Sequence, residues 1–507
     1  MRKPIFFLCF FFLTIHLFSQ HPKREMRAVW IATVSNIDWP SSQRLSTSEQ
    51  RKEMIKLLDG FAKNNINAVV VQIRPTADAF YSSPHEPWSH WLTGKQGSRP
   101  VPYYDPLQFI IEEAHKRFIE VHAWINPYRV TNSRGSGELC QQHLFFEKKE
   151  MFVNYGNRYY FDPGLDETRE FLNLVVRDVV ERYNIDAVHF DDYFYPYKIA
   201  GVDFPDQKTF ERYPRGFTQE QKNDWRRNNV NLIISELQQT IKSIKPWVEF
   251  GISPFGVWRN SSTDPRGSAT KAGIQNYDDL YADILKWLQE GSIDYVTPQL
   301  YWEIGKSTAD YETLVNWWSE NSYGKNLYIG LGVYKMEDKS QAKAWNNGNE
   351  IVRQLNVNKK HPQVDGVMYY NATAFLGNKR GLNDSLQHNY YKYPAICPIN
   401  HNIKGEAAVS PQKVSILKDG ANTFLFWDKV AEKNSAENAY YIVYAFKGKT
   451  AGDLNNPANI LVRTHDNYIN LKRFKHLDLT GNYTFVVTSV NRYKQESVPT
   501  HAVTRKL

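Results

Sequence analysis

The sequence predicts a (β/α)8 barrel, the TIM fold, followed by a small all-β sandwich of the immunoglobulin-like, fibronectin type III kind. Eight short apolar runs alternate with amphipathic segments over about the first 395 of the 507 residues, as in a parallel barrel covered by helices. From about Ala407 onward the amphipathic segments stop, and strand-like runs are separated by Gly, Asn and Asp. A chain of this length suffices for two such domains.

The eight predicted barrel strands are spaced so that a helix fits between each pair. They cover residues 27–34, 68–74, 120–126, 187–191, 249–253, 295–300, 327–333 and 366–370. A doubly wound open sheet is the alternative, but it needs fewer strands, and no glycine-rich phosphate turn follows the first strand. The count of eight therefore favours the closed barrel.

Helix start signals support the same alternation. Ser46 to Glu49, Asp105-Pro106 and Asp162-Pro163 precede three of the amphipathic segments and are typical of helix N-termini. The predicted helical segments cover residues 54–61, 107–116, 168–183, 228–244, 278–288 and 311–318.

The C-terminal region predicts a β-sandwich of about the size usual for that fold. Its strand-like runs are residues 414–417, 423–427, 440–444, 460–463 and 483–490. Trp427 on the second run, and Tyr483 in a position like that of a tyrosine corner, resemble the fibronectin type III pattern. We therefore expect a barrel at 21–395, a linker at 396–406 and a sandwich at 407–507.

The first twenty residues predict a secretory signal peptide. Arg2 and Lys3 precede a mostly apolar run over residues 5–18, which ends at Ser19-Gln20. The run is short for a membrane span, which needs roughly 20 residues, although an uncleaved anchor is the alternative. Cys9 lies too early to be the lipidated cysteine of a bacterial lipoprotein. We expect an exported protein, periplasmic or extracellular, without an integral membrane segment after cleavage.

Charge and cysteine content exclude other classes. The formal net charge of +8 is spread without blocks of like sign, so nucleic-acid binding is not indicated. Cys140 and Cys397 could pair outside the cytoplasm, but without motif spacing they are more often free. Aromatic residues, at 14% of the chain, exceed what the core needs and call for an explanation.

Strand alternation predicts an unusually polar barrel interior. On the fourth strand Val188 and Phe190 suit the helix layer, so His189 and Asp191 point inward. The same reasoning turns other polar and aromatic side chains inward: Gln72, Arg74, His122, Trp124, Asn126, Glu249, Ser253, Gln299 and Tyr301. Because unpaired buried polar groups are costly, the pattern favours a polar substrate in the barrel mouth, although each residue alone could be a satisfied core side chain.

Asp191 and Asp192 are the predicted catalytic residues. They end the fourth strand, at the face where barrel enzymes build their active sites, and neighbouring carboxylates raise each other's pKa. Glu249 is the preferred second carboxylate of a glycosidase pair, and Glu303 is the other candidate. A metal site with His189 or His122 as third ligand competes with this reading, but hard cations prefer more oxygen ligands than are evident. We expect no cofactor.

Aromatic and hydrogen-bonding residues cluster at the same strand ends and predict a sugar-binding cleft. Aromatic rings stack on sugar faces, and polar side chains bind hydroxyls. The predicted substrate-binding residues are Arg74, His122, Trp124, Asn126, Tyr128, Arg129, Tyr193, Trp258, Gln299, Tyr301 and Trp302. Packing beneath long loops would explain some of these aromatics equally well.

Six motifs in order resemble glycosyl-hydrolase-like family 10, a group of exported bacterial proteins. They are REMRAVWIATVSNIDWP at 24–40, YDPL at 104–107, HAWINPYR at 122–129, FDDYFY at 190–195, GISPFGVWRN at 251–260 and PQLYW at 298–302. The resemblance implies a (β/α)8 barrel that hydrolyses peptidoglycan glycan strands stripped of their stem peptides. Asp191 and Asp192 match the family's strand-four acids.

The sequence hypothesis is therefore an exported glycoside hydrolase of a cell-wall glycan, whose partner is a polysaccharide. Two alternatives stay open. One is a glycan-binding barrel without catalysis, and the other is a metal-dependent polysaccharide deacetylase or lyase.

Overall fold

The computed structural model describes residues 21–132, 139–346, 350–430, 438–474, 477 and 481–506. Eight parallel strands form a closed barrel in the order β1-β8-β7-β6-β5-β4-β3-β2, which confirms the predicted fold. The strands are β1 Met26–Ile31, β2 Ala68–Arg74, β3 Glu120–Ile125, β4 Ala187–Phe190, β5 Glu249–Ile252, β6 Tyr295–Val296, β7 Asn326–Gly332 and β8 Val364–Tyr370. The predicted signal peptide lies outside the described residues.

One principal helix follows each strand. These helices are α1 Thr47–Lys63, α2 Pro106–His115, α3 Asp166–Arg182, α4 Lys222–Ile244, α5 Ile284–Glu290, α6 Tyr311–Glu320, α7 Glu350–Asn358 and α8 Ala372–Leu376. Shorter helices lie in the loops at His90–Thr93, Leu144–Glu147, Gln207–Arg212, Asn276–Asp279, Lys343–Asn346 and Leu382–Ser385, and a hairpin is formed by Phe152–Tyr155 and Arg158–Phe161. In the described parts of the chain, no helix combines the length and apolar character that crossing a bilayer requires.

Capping explains which helix boundaries were predictable. Ser46 and Glu49 form a reciprocal capping box at α1, and Asp105 caps α2 in front of Pro106. The predicted helix over 278–288 is instead two helices, because Tyr281 has a positive φ of 53° and Asp283 caps a new start at α5. Sequence patterning did not predict α7 or the hairpin.

Two apolar layers surround the strands. Val69, Val71 and Val188 belong to the outer cluster, between the strands and the helices. Ala68 and Trp124 belong to the inner cluster, within the barrel. The predicted alternation therefore holds along most of each strand and decides which residues reach the interior.

The C-terminal region consists of two antiparallel sheets, consistent with an immunoglobulin-like or fibronectin type III sandwich. The strands are β9 Gln412–Asp419, β10 Asn422–Asp428, β11 Asn438–Lys447, β12 Ile460–Thr464, β13 Tyr468–Asn470, β14 Asn482–Asn491 and β15 Val503–Lys506. One sheet has the order β9-β10-β13 and the other β12-β11-β14-β15. Trp427 is buried between them.

The N-terminal end of the barrel is covered by the segment after α8 and by the sandwich. Ile396, at the start of the predicted linker, exchanges backbone hydrogen bonds with Lys23 and Glu25, and Cys397 packs in the inner cluster. Lys494 of the sandwich reaches the same end of the barrel. Cys140 and Cys397 are separate free thiols.

Candidate active site

Asp191 and Asp192 follow β4 directly, at the C-terminal mouth of the barrel. Their exposed fractions are only 4% and 3%. Parallel strands bring their C-terminal ends to one face of a barrel, where enzymes of this fold carry their chemistry. The predicted catalytic pair is thus buried at the floor of the mouth.

A relay of amide side chains orients Asp191. Asn126, after β3, donates from Nδ2 to Asp191 Oδ2 at 2.7 Å, and Gln72 on β2 donates from Nε2 to Asn126 Oδ1 at 2.7 Å. The Gln72 carbonyl oxygen Oε1 in turn accepts from the backbone N–H groups of Thr33 and Val34, at 3.0 and 2.9 Å. Four consecutive strands therefore hold one carboxylate through satisfied buried hydrogen bonds.

Asp192 is held from the other side by the hydroxyl of Tyr197, which donates to Asp192 Oδ2 in a very short hydrogen bond. Gln299 also hydrogen-bonds to Asp192, while its Nε2 lies 2.9 Å from the carbonyl oxygen of Ser253. Tyr197 was not among the predicted site residues. The aromatic run after the two aspartates was the available signal.

Burial and mutual repulsion bring the pKa values of both carboxyl groups close to neutral pH. Desolvation, together with the charge of Asp192, raises the pKa of Asp191 to about 7. Desolvation also raises the pKa of Asp192, to about 6, although the hydrogen bonds from Tyr197 and Gln299 hold it down. Between these values the two carboxyls share one proton, which is the state that an acid and a base acting together require.

Arg129 places a positive charge beside the catalytic pair. Its guanidinium lies 5.2 Å from the ring centroid of Tyr193, and its charge lowers the pKa of both aspartates. The backbone N–H of Tyr193 also donates to Asp191, at 3.3 Å. The structure thus brings Asn126, Arg129 and Tyr193, three of the predicted substrate-binding residues, together around the pair.

A second group of aromatics lies across the mouth. Tyr301 stacks on Tyr370, with 5.9 Å between ring centroids, and Tyr334 packs edge-on against both rings. Trp302 meets Phe255 edge-on at 5.3 Å. These five rings form an aromatic wall that runs from Tyr370, at the end of β8 and opposite β4 in the barrel, to Phe255, whose ring meets that of Tyr197 at 6.5 Å. Tyr370 and Phe255 were missed by the prediction.

The interior beneath the pair is a hydrogen-bonded column centred on Tyr295. Its hydroxyl lies 2.9 Å from Nδ1 of both His122 and His189, and burial lowers the pKa of His189. Gly251 makes room for this ring, since a Cβ there would lie 1.9 Å from Tyr295 Cζ. His122 is fully buried and does not reach the mouth, so its predicted contact with substrate is wrong.

Trp124 lies in the same interior, beside the relay. Its side chain is almost completely buried, at 6% exposure, and its indole Nε1 has no hydrogen-bond acceptor within the described parts of the chain. This indole is a donor that a polar ligand entering the mouth could use.

Glu249 is not at the mouth, which corrects the predicted second carboxylate. As the first residue of β5 it lies at the opposite, N-terminal end of the barrel, where Lys494 Nζ donates to its Oε2 at 2.8 Å. Glu303, the other candidate, accepts from Trp345 Nε1 at 3.1 Å and pairs with Lys306 at 3.5 Å. Neither group contacts the aspartates.

Arg74 is a structural residue rather than a sugar ligand. The register of β2 shifts after Gln72, so Arg74 pairs with Ile125, whose side chain packs in the outer layer. Its guanidinium binds both carboxylate oxygens of Glu86 and the carbonyl oxygen of Asn126. The bulge therefore removes Arg74 from the interior, where simple alternation had put it.

Tyr128 and Trp258 are also buried away from the mouth. Both belong to the outer cluster, with exposed fractions of 2% and 1%. Tyr128 lies near Arg169 of α3, and Trp258 stacks on Trp317 at 6.1 Å. These two rings support loops and helices, so the predicted role in binding sugar is wrong for them.

Comparison with known proteins identifies the family. Residues 25–347 match the model of "Glycosyl hydrolase-like 10". The glycosyl hydrolase YngK of Bacillus subtilis is 44% identical over 95% of this chain and 94% of its own length. The glycosyl hydrolase DigH of Escherichia coli K12 is 40% identical over 69% of this chain and 84% of its own length.

Among solved structures, the α-L-fucosidase isoenzyme 2 of Paenibacillus thiaminolyticus is 11% identical and covers 73% of this chain and 51% of its own, with a TM-score of 0.46. The extent of the family match and the identity to the two relatives are what decide the assignment. The chain belongs to the glycosyl-hydrolase-like 10 family and is a glycoside hydrolase.

Proposed function

We propose that this glycosidase is exported and cleaves a β-1,4 bond in a cell-wall amino-sugar polymer, with peptidoglycan strands free of stem peptides as its substrate. The observation that carries the proposal is the buried pair Asp191–Asp192, which shares one proton near neutral pH at the floor of the barrel mouth. The predicted signal peptide supports export. The aromatic wall and the polar relay support a saccharide ligand.

The two aspartates divide the catalytic work. Asp191, with the higher pKa, protonates the glycosidic oxygen as the bond to the anomeric carbon breaks. Asp192 remains the anion because Tyr197 and Gln299 donate to it, and it acts on the anomeric carbon as nucleophile, or on water as base. Since Glu249 and Glu303 lie elsewhere, the pair itself supplies both carboxylates.

The remaining residues bind and orient the sugar chain. Tyr301, Tyr370 and Trp302 offer ring faces and edges on one side of the mouth, where pyranose faces can stack. Gln299 and Arg129, both partly exposed, offer donors to hydroxyl groups beside the aspartates. This arrangement fits a chain lying across the mouth, with the scissile bond above the pair.

Product analysis tests the proposal. The mature chain is incubated with intact peptidoglycan, with strands stripped of peptides and with chitin oligomers, and the products are identified by mass spectrometry. We expect new reducing ends from the stripped strands at a higher rate than from intact peptidoglycan. Equal rates on both polymers would contradict the substrate, and failure to cleave any amino-sugar polymer would contradict the proposed function itself.

A further inference from the structure

A cavity of about 560 Å³ adjoins the catalytic pair on the β3 and β4 side of the mouth. Tyr193 and Tyr197, which contact Asp191 and Asp192, form the wall that the cavity shares with the active site. The hairpin after β3 closes the other side through Arg158. The cavity is therefore next to the catalytic pair and large enough for a sugar residue.

The lining of this cavity is cationic. Arg129 and Arg158 both line it, and no Asp or Glu is among its described lining residues. In the same barrel Arg226 is neutralised by Asp203 and Asp206, at 2.9 and 2.7 Å. Neither cavity arginine forms an ion pair of this kind within the described parts of the chain. Two guanidinium groups thus line a cavity of sugar size, and of the two, Arg129 also lowers the pKa of Asp191 and Asp192 through its charge.

Both arginines are held so that part of each guanidinium remains available. Arg129 lies over the ring of Tyr193, and its Nε makes only a long contact of 3.4 Å with the carbonyl oxygen of Pro75. Arg158 uses Nε to bind the carbonyl oxygen of Asn132 at 3.0 Å, and its terminal N–H groups donate to no acceptor among the residues that the structure describes. Planar guanidinium groups held in this way match carboxylates in shape and charge.

We propose that this cavity is a subsite for a sugar that carries a free carboxylate, bound by Arg129 and Arg158 on the β3 and β4 side of the mouth. The proposal rests on the proposed function and makes it more specific, because it states which chemical group of the glycan is read. The positive charge of the two arginines also offsets the repulsion between the carboxylates of such a strand and the two aspartates.

This subsite distinguishes two chemical states of one polymer. In a strand whose sugar acids are free, the carboxylates are anions that charge-assisted hydrogen bonds can hold. In a strand whose acids are joined to peptides, each carboxylate has become a neutral amide with a bulky substituent. The cavity accepts the first state and rejects the second through lost charge and through size.

Binding measured by calorimetry tests the proposal independently of turnover. Two probes are used with the Asp191→Asn variant, which keeps the strand intact: short peptide-free strands, and the same strands with their carboxylates reduced to primary alcohols. We expect the acidic strands to bind about tenfold more tightly. Adding Arg158→Met should abolish that preference and leave the affinity for reduced strands unchanged.

Arg177→Met is the matched control, because Arg177 lies on α3 and pairs with Glu181 on the outer surface. It should leave both affinities unchanged. Equal binding of the two probes by the parent variant, or an equal loss for both probes in Arg158→Met, would overturn the subsite. If the wild type generates no reducing ends from either strand, the proposed function fails instead, and the binding result still decides on the subsite.

Discussion

Each end of this barrel carries two carboxyl groups with little exposure to solvent, and the groups that contact them differ between the two ends. At the N-terminal end, Glu120 and Glu249 both meet the ammonium group of Lys494, at 3.0 and 2.8 Å. At the C-terminal end, Asp191 and Asp192 receive amide and hydroxyl donors, and neither forms an ion pair within the described residues. The pairs have the same chemistry but different partners.

The difference shows how one fold can use carboxylates for stability and for catalysis. Although burial opposes it, the charge of Lys494 lowers the pKa of Glu120, and the two glutamates raise the pKa of Lys494, so Glu120 and Lys494 stay charged near neutral pH. Without a contacting cation, burial raises the pKa of both aspartates. A carboxylate that contacts an ammonium group therefore stays ionised, whereas a buried carboxyl group with neutral hydrogen-bond donors can keep a proton and transfer it.

Replacing one carboxylate at each end of the barrel should have the largest effect, because it separates the loss of catalysis from the loss of stability. We expect Asp191→Asn and Asp192→Asn each to lower kcat by about 10³-fold, since each removes a group that handles the proton or the anomeric carbon. Their free energy of unfolding at pH 7 should not fall, because a neutral amide replaces a carboxyl that burial penalises when ionised. Steady-state kinetics and urea unfolding measure the two effects.

Glu249→Gln is the matched variant at the other end. It should retain most of kcat and lose stability, because it leaves Lys494 with one carboxylate partner fewer. A loss of kcat comparable with that of Asp191→Asn, without a loss of stability, would contradict the division of roles between the two ends.

The next largest effect should come from Lys494. Lys494→Met leaves Glu249, which is 1% exposed, without its cation, and we expect a loss of about 3 kcal/mol in the free energy of unfolding. The loss should be largest at neutral pH and shrink in acid, because the contribution of a carboxylate with lowered pKa disappears as pH falls and Glu120 is protonated. Urea unfolding at several pH values measures it.

Lys472→Met, at an exposed position of the sandwich, is the control and should change stability little. Combining Lys494→Met with Glu249→Gln should recover part of the loss, since both members of the buried pair are then uncharged. If Lys494→Met is as stable as the wild type, the ion pairs do not hold the two regions together.

The smallest expected effect is a change in the pH dependence of kcat. The rate should rise as pH increases through about 6, where Asp192 ionises, and fall above about 7, where Asp191 loses its proton. Tyr197→Phe removes a donor that lowers the pKa of Asp192, so the acid limb should move to higher pH and the profile should narrow. Tyr159→Phe, whose ring contacts Phe145, should leave the profile unchanged.

The sequence was sufficient to predict the barrel and the direction of most interior side chains, because period-two alternation and helix caps are local properties. It correctly turned Gln72 inward, where it joins the relay to Asp191. However, alternation does not predict how far along the barrel axis a residue lies. Glu249 faces the interior as predicted but begins its strand, so it lies at the wrong end.

The other corrections also come from features that a local pattern does not contain. The bulge in β2 turns Arg74 outward and is visible only in the pairing with β3. Trp258 looks like a sugar platform by residue type, but Trp317, which stacks on it, lies far along the chain. Tyr197 follows the aspartates closely, and only the course of the loop brings its hydroxyl to Asp192.

The contact of Lys494 with the barrel has a consequence for protein engineering. A shortened enzyme cut within the linker would keep every group of the mouth and lose the ammonium that neutralises Glu120 and Glu249. We expect such a fragment to be less stable than the full chain, and Glu120→Gln combined with Glu249→Gln to recover part of the loss. The sandwich therefore supplies a charge that the barrel uses, and chimeras that exchange the sandwich should keep a cation at the position of Lys494.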